Sequence, residues 1–198
     1  MKKVLRNMLV YTAITNNYDT LKDLPKGVGG VCFTDNPSLT SRTWEIKYIK
    51  GLDHKAPKML NHQFFPGQST MWIDGNVVVN KLPKPAHLAT FKAKDYQCAY
   101  IEAERCKNGK DTVDRIDSQV AYMKDDNYPE YNGLSACTVI VRDGKQRRLE
   151  ELWWEQLQRT RRDQISFNYC LWKLGLDQEF IPGSIYQNDY VKWLGVHK

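Results

Sequence analysis

The residues best suited to chemistry sit at the ends of apolar runs. Asp74, Gly75 and Asn76 separate the apolar stretches 70–73 and 77–79. A buried strand that ends at Asp74 and a second that starts after Asn76 fit this pattern. Gly75 permits a sharp backbone turn between them. Two side-chain oxygens two residues apart across that turn can converge on one point. Such a pair suits a hard cation, and the cation suits a diphosphate. The same residue types also make an ordinary tight hairpin turn. Two further apolar runs end in polar residues, at Thr15-Asn16-Asn17-Tyr18-Asp19 and at Thr34-Asp35. Ligands of open α/β sheets gather outside the carboxyl ends of the strands, so three polar ends on one edge would make a nucleotide pocket. Taken singly, Asp19 and Asp35 also suit loop acids or caps. Neither GxGxxG nor GxxxxGK[ST] is present, so a nucleotide would be held by side chains and a metal.

The elements that must position these residues follow from periodicity. Residues 8–15, 29–35, 88–91 and 134–141 read as strands. Residues 43–49 alternate, with Trp44, Ile46 and Tyr48 on one face, as a half-exposed strand does. Pro57 suits the first turn of a short helix with Leu60 and Phe64 inward, which puts Lys58 and His62 on one helix face. Asp95 is placed to cap a helix through Cys106, and Asp111 to cap one with the stripe Val113, Ile116, Val120 and Met123. Leu149, Leu152, Trp153 and Leu157 mark another helix. Asp163 opens the last, as an N-cap or as a functional carboxylate, and Gly175 ends it. Strands and helices interleave along all 198 residues. This predicts one domain, 1–198, with a three-layer α/β/α fold around a mixed, mainly parallel sheet.

Composition narrows the partners without choosing one. With 29 basic and 23 acidic residues, the charge of +6 suits a nucleotide, a nucleic acid or an anionic glycan. Arg142, Lys145, Arg147, Arg148, Arg159, Arg161 and Arg162 crowd one region, with Glu150, Glu151 and Glu155 among them. They read as a solvated helix face or as a track for an anionic acceptor. Five widely spaced cysteines without a CxxC pair predict reduced, buried thiols and a cytoplasmic protein. Arg6 and Asn7 interrupt the first apolar run, so neither a signal peptide nor a membrane span is expected.

The order of motifs resembles a known family. Val10–Asp19 (VYTAITNNYD), Phe33-Thr34-Asp35, the PKMLNHQFFP run from Pro57, Trp72-Ile73-Asp74-Gly75-Asn76, YIEAE from Tyr100, and ELWWE and RDQISF from Glu151 and Arg162 are similar to small bacterial and plant glycosyltransferase-like proteins with a WIDGN box. These resemble the glycogenin-type (family 8) retaining glycosyltransferases of GT-A fold. The resemblance implies a metal-dependent, retaining transfer of a sugar from a nucleotide-diphosphate donor, UDP-linked above others, to a hydroxyl of a glycan or of a hydroxylated DNA base. It implies Mn²⁺ or Mg²⁺ at Asp74 and Asn76. Tyr11, Thr12, Ala13 and Asn16 would line the base and ribose, and Asp35 would reach the nucleoside. Lys58 and His62 would lie near the phosphates, and Asp163 and Gln164 beside the donor sugar. Ala93 and Asp143-Gly144 stand where relatives carry histidines, which leaves His197 as the late histidine for a third metal ligand. A non-catalytic nucleic-acid-binding protein on the same fold and a metal-dependent phosphotransferase or hydrolase are the competing expectations.

Overall fold

The computed structural model describes residues 8–93, 97–195 and 197. The expected cap at Asp95 lies outside them. The chain runs β1 (Leu9–Ile14), β2 (Gly30–Thr34), β3 (Glu45–Tyr48), α1 (Lys55–Met59), α2 (Asn61–Phe64), β4 (Thr70–Ile73), β5 (Val77–Val79) and β6 (Leu88–Lys92). It continues α3 (Ala99–Cys106), α4 (Val113–Asp125), β7 (Ser135–Arg142), α5 (Arg147–Leu157), α6 (Asp163–Leu174), β8 (Glu179–Phe180) and β9 (Val191–Trp193). Seven strands form one sheet in the order β3-β2-β1-β4-β7-β6-β8. Its pairs are parallel except where β7 runs antiparallel to β4 and β6. This is the mixed, mainly parallel Rossmann-like sheet expected from the interleaved pattern.

The two faces of the sheet bury different partners. Strand side chains alternate sides. Tyr11, Phe33, Trp72 and Ile140 therefore point to the core filled by Met59, Ala103, Ile116, Met123, Trp153 and Phe167 of the helical side. Val10, Cys32, Met71 and Val141 point the other way, to Leu24, Trp44, Val77, Ile181 and Val191. Among the described residues, that second core takes no residue from the helices. One outer layer is helical. The other is built from loops and a two-stranded sheet, β5 against β9. No helix among the described residues is long and apolar enough to cross a membrane. All five cysteines are free and buried, as their spacing predicts.

Three local expectations change. The turn at Asp74-Gly75-Asn76 is not a hairpin: β4 pairs with β7, whereas β5 leaves for the second sheet and pairs with β9. The helix expected through Pro57 breaks at Leu60 (φ −107°, ψ 43°), so α1 and α2 are separate and Lys58 and His62 do not share a face. Asp111 does not cap α4, whose cap position is Thr112. Its carboxylate instead accepts from Thr160 Oγ1 at 2.7 Å and the Arg161 N–H at 2.6 Å, tying the start of α4 to the turn before α6.

Gly30, at the start of β2, leaves no room for a side chain on the loop side of the sheet. A Cβ there would lie 2.4 Å from Leu24 Cδ1 and 2.7 Å from Trp44 Cε3. Gly30→Ala should overpack this core and cost about 1–3 kcal/mol. Urea unfolding should show a lower midpoint at unchanged slope. An unchanged midpoint would mean that Leu24 and Trp44 yield freely.

Candidate active site

A cavity of about 450 Å³ opens beside the carboxyl ends of β1 and β4 and the first residues of α6. Four charged side chains form its base. Lys58 Nζ lies 2.6 Å from Asp163 Oδ2 and 3.2 Å from Asp74 Oδ1. Lys55 Nζ donates to Asp163 Oδ1 at 2.9 Å. Trp72 Nε1 donates to Asp74 Oδ1 at 2.8 Å. Side-chain exposure is 6% for Lys58 and 8% for Asp163, but 34% for Asp74, so the network is buried at one end and meets the cavity at the other.

Each member is placed by its element. Lys55 and Lys58 are three apart on α1, a spacing that sets two side chains on one helix face. Asp74 follows the last residue of β4, and its N–H donates to Thr138 O on the neighbouring β7. Asp163 is the first residue of α6; Arg162 occupies the cap position, and no side chain caps the helix. Its carboxylate is thus free to face the lysines from a helix N-terminus, where negative charge is favoured. Trp153 Nε1 donates to the Asp163 carbonyl at 2.8 Å and fixes that end against α5.

The protonation states follow from burial and charge. Burial alone would raise the Asp163 pKa, but Lys55 and Lys58 outweigh it and hold the carboxyl well below the usual carboxylate range. Burial opposes the Lys58 ammonium, and Asp163 with Asp74 overcomes that opposition and raises its pKa. Both stay ionised at neutral pH. Cys137, in the same wall, is pushed up by burial and stays a thiol. His54 is pulled down by burial and by Lys55 beside it.

Of the residues expected at the site, the cavity wall includes Ala13, Asn16, Lys58, Asp74, Asp163, Gln164 and His197. Gln164 donates its Nε2 to Ser135 O at 2.9 Å. The others lie elsewhere. Tyr11 is fully buried two residues before Ala13 on β1; its ring packs edge-on against Phe65 and Trp72, beneath the cavity. Thr12 is buried in the sheet. Asp35 is a loop acid whose carboxylate accepts the Asn16 N–H at 3.0 Å. It supports the turn in which Asn16 (φ 55°) and Asn17 (φ 50°) adopt left-handed backbone. His62, carried off by the break at Leu60, gives both its N–H and its Nδ1 to Glu150 Oε2, each at 2.7 Å.

The implied metal can be tested against these donors. Asn76 is 5% exposed and outside the cavity wall. Asp74 Oδ1 is already engaged by Trp72 and Lys58. His197 Nδ1 lies 3.1 Å from Asp19 Oδ1. Among the described residues, no three His, Cys, Asp or Glu side chains group as a metal cage requires. As placed, Asp74 and His197 share the cavity wall and Asn76 does not, so that wall does not bring the three together. Gly75 sits in the expected turn, closed by the Val77 N–H on Asp74 O at 3.1 Å, and has a second use. Its φ is not left-handed, but a Cβ there would lie 2.7 Å from Asp19 Oδ2, so the bare backbone makes room for that carboxylate.

Lys55 and Trp72 were not singled out by the sequence, although the three-residue spacing of Lys55 from Lys58 was a usable signal. The basic cluster divides: Lys145, Arg147 and Arg148 stay exposed at and just before the start of α5, and the others are buried or half-buried. Arg142 is 1% exposed. Arg147 pairs with Glu151, Arg161 pairs with Asp53, and the Arg159 guanidinium stacks 3.7 Å from the Tyr122 ring centre. Arg162 enters the cavity wall.

A base of two ammonium groups and two carboxylates beneath an open cavity suits a polar ligand that carries phosphate and hydroxyl groups. No curated protein matches the chain. Residues 50–192, well over half of the sequence, match the model of the TOD1/MUCI70 glycosyltransferase-like domain. The match begins after β3 and takes in Lys55, Lys58, Asp74 and Asp163. The chain belongs to the TOD1/MUCI70 glycosyltransferase-like family.

Proposed function

We propose that the cavity binds a nucleotide-diphosphate sugar, UDP-linked above others, and that the chain transfers the sugar to a hydroxyl acceptor. The observation that carries this reading is the paired ammonium groups of Lys55 and Lys58 at the strand ends, held by Asp163 at a helix start. Phosphate oxygens of the donor meet the two lysines, whose charge stabilises the departing diphosphate. Asp163 orients the lysines and reaches the sugar hydroxyls, with Gln164 beside it. Both carboxylate oxygens of Asp163 already face ammonium groups, which makes it a poor nucleophile. A retaining transfer therefore proceeds here without a covalent sugar on Asp163. The leaving-group charge is met by Lys55 and Lys58. The acceptor is a glycan or a hydroxylated base in DNA. The burial of Arg142, the stacking of Arg159 and the pairing of Arg161 favour the transferase over a DNA-binding protein without activity. Release of nucleoside diphosphate, not inorganic phosphate, separates it from a phosphotransferase or hydrolase.

A thermal-shift screen of UDP-, GDP- and ADP-sugars, each with and without Mn²⁺, tests the donor. A ligand at 100 times its dissociation constant should stabilise the fold by about 2.7 kcal/mol. At least one donor should raise the melting temperature; silence across the whole panel would remove the reading.

Asp163→Asn should reduce transfer by about 10²-fold or more through misplaced lysines. It should also cost about 3 kcal/mol of stability, because it leaves buried ammonium charge with less compensation. The sign of the pH effect follows from the low folded pKa. The stabilisation is complete above the unfolded carboxylate value of about 4 and declines as the pH falls from there toward the folded value. Urea melts of both proteins from pH 7 to pH 3 should therefore show the gap narrowing at the acid end, by about 1 kcal/mol at pH 3. A constant gap over that range would mean that the ionised Asp163 is not the source.

A further inference from the structure

Arg142 is the last residue of β7, one of the largest fully buried side chains, and plays no part in the chemistry described above. Its Nη1 donates to the Lys58 carbonyl at 2.6 Å and to the Tyr11 hydroxyl at 3.1 Å. The same nitrogen lies 3.6 Å from Glu150 Oε1. Glu150, also 1% exposed, uses its other oxygen for the N–H and Nδ1 of His62, the second residue of α2. One buried ion pair thus grips the α1–α2 segment at two points, Lys58 O and His62.

The grip falls where α1 is weakest. A five-residue helix leaves its final carbonyls without intrahelical donors. A cation at that end satisfies the carbonyl and the dipole together. Lys58 is held at both ends, its carbonyl by Arg142 and its ammonium between Asp74 and Asp163. The Lys58 and Asp74 ends of this chain of contacts lie in the cavity wall, and Arg142 does not.

We propose that Arg142 is a positioning residue for the phosphate-binding lysines, acting through the main-chain carbonyl of Lys58. This rests on the donor-site reading above. Lysine in place of Arg142 keeps the charge but loses the rigid planar guanidinium that holds Nη1 against Lys58 O, Tyr11 and Glu150 at once. Tyr11→Phe removes one acceptor from the same guanidinium without changing charge and with little change in volume. Both changes act on ligand affinity only while Lys58 is present.

A double-mutant cycle tests this. UDP, GDP and ADP are titrated calorimetrically into the wild type, Arg142→Lys, Lys58→Met and the double variant, with thermal melts in parallel. For the nucleotide that binds the wild type, Arg142→Lys should weaken affinity about tenfold with Lys58 present and leave it unchanged in the Lys58→Met background. The melting temperature should fall in both backgrounds. Tyr11→Phe should weaken affinity about threefold under the same condition, and it decides the matter where Arg142→Lys does not fold. Equal weakening in both backgrounds, or none in either, would make Arg142 a purely structural residue and overturn the proposal. A wild type that binds none of the three nucleotides would overturn the donor-site reading, and the inference with it.

Discussion

The structure turns on one ammonium group. Lys58 Nζ sits between Asp163 and Asp74 with almost no access to water. Removing such a charge from water is costly, and paired carboxylates offset the cost when geometry is close. Here each partner comes from a different element: α1 brings the lysine, α6 brings Asp163 and the end of β4 brings Asp74. The three must be brought together for any of them to be tolerable in that place. The sheet edge, the helix start and the short helix are therefore fixed relative to one another by electrostatics as well as by packing.

Much of this was legible in the sequence. Apolar runs ending in polar residues located β1, β2 and β4, because the side-chain period of a buried strand survives in any context; the cavity lies beside the ends of β1 and β4 and leaves out that of β2. Asp163 was readable as a helix start. The rest was lost to events that period and spacing do not encode. The break at Leu60 divides a plausible single helix and sends His62 to Glu150, while Lys58 stays under the cavity. β5 changes sheets after the turn, which takes Asn76 out of the wall although it is two residues from Asp74. Strand alternation sets Tyr11 and Ala13 on one face, but Tyr11 lies a full repeat deeper and meets aromatic rings.

Long-range pairings were the least accessible. Arg142 contacts Lys58 across 84 residues, and Glu150 contacts His62 across 88. In the sequence Arg142 belongs to a basic cluster and Glu150 to the acids scattered through it. Folding separates them from that cluster and buries them as a pair. A run of charge thus resolves into a buried clamp, a stacked guanidinium, surface pairs, an exposed Arg148 and one cavity-lining side chain. These have different energetic weight, since exposed pairs contribute little and a broken buried pair costs several kcal/mol.

The central claim is that the two lysines of α1 receive the phosphates of a donor. The most direct measurement is a crystal structure of the protein soaked with a nucleoside diphosphate. The account predicts phosphate oxygens within about 3 Å of Lys55 Nζ and Lys58 Nζ, in the cavity beside Asp163. Diphosphate bound elsewhere on the surface, with Lys58 still enclosed by Asp74 and Asp163 and touching no phosphate, would contradict it.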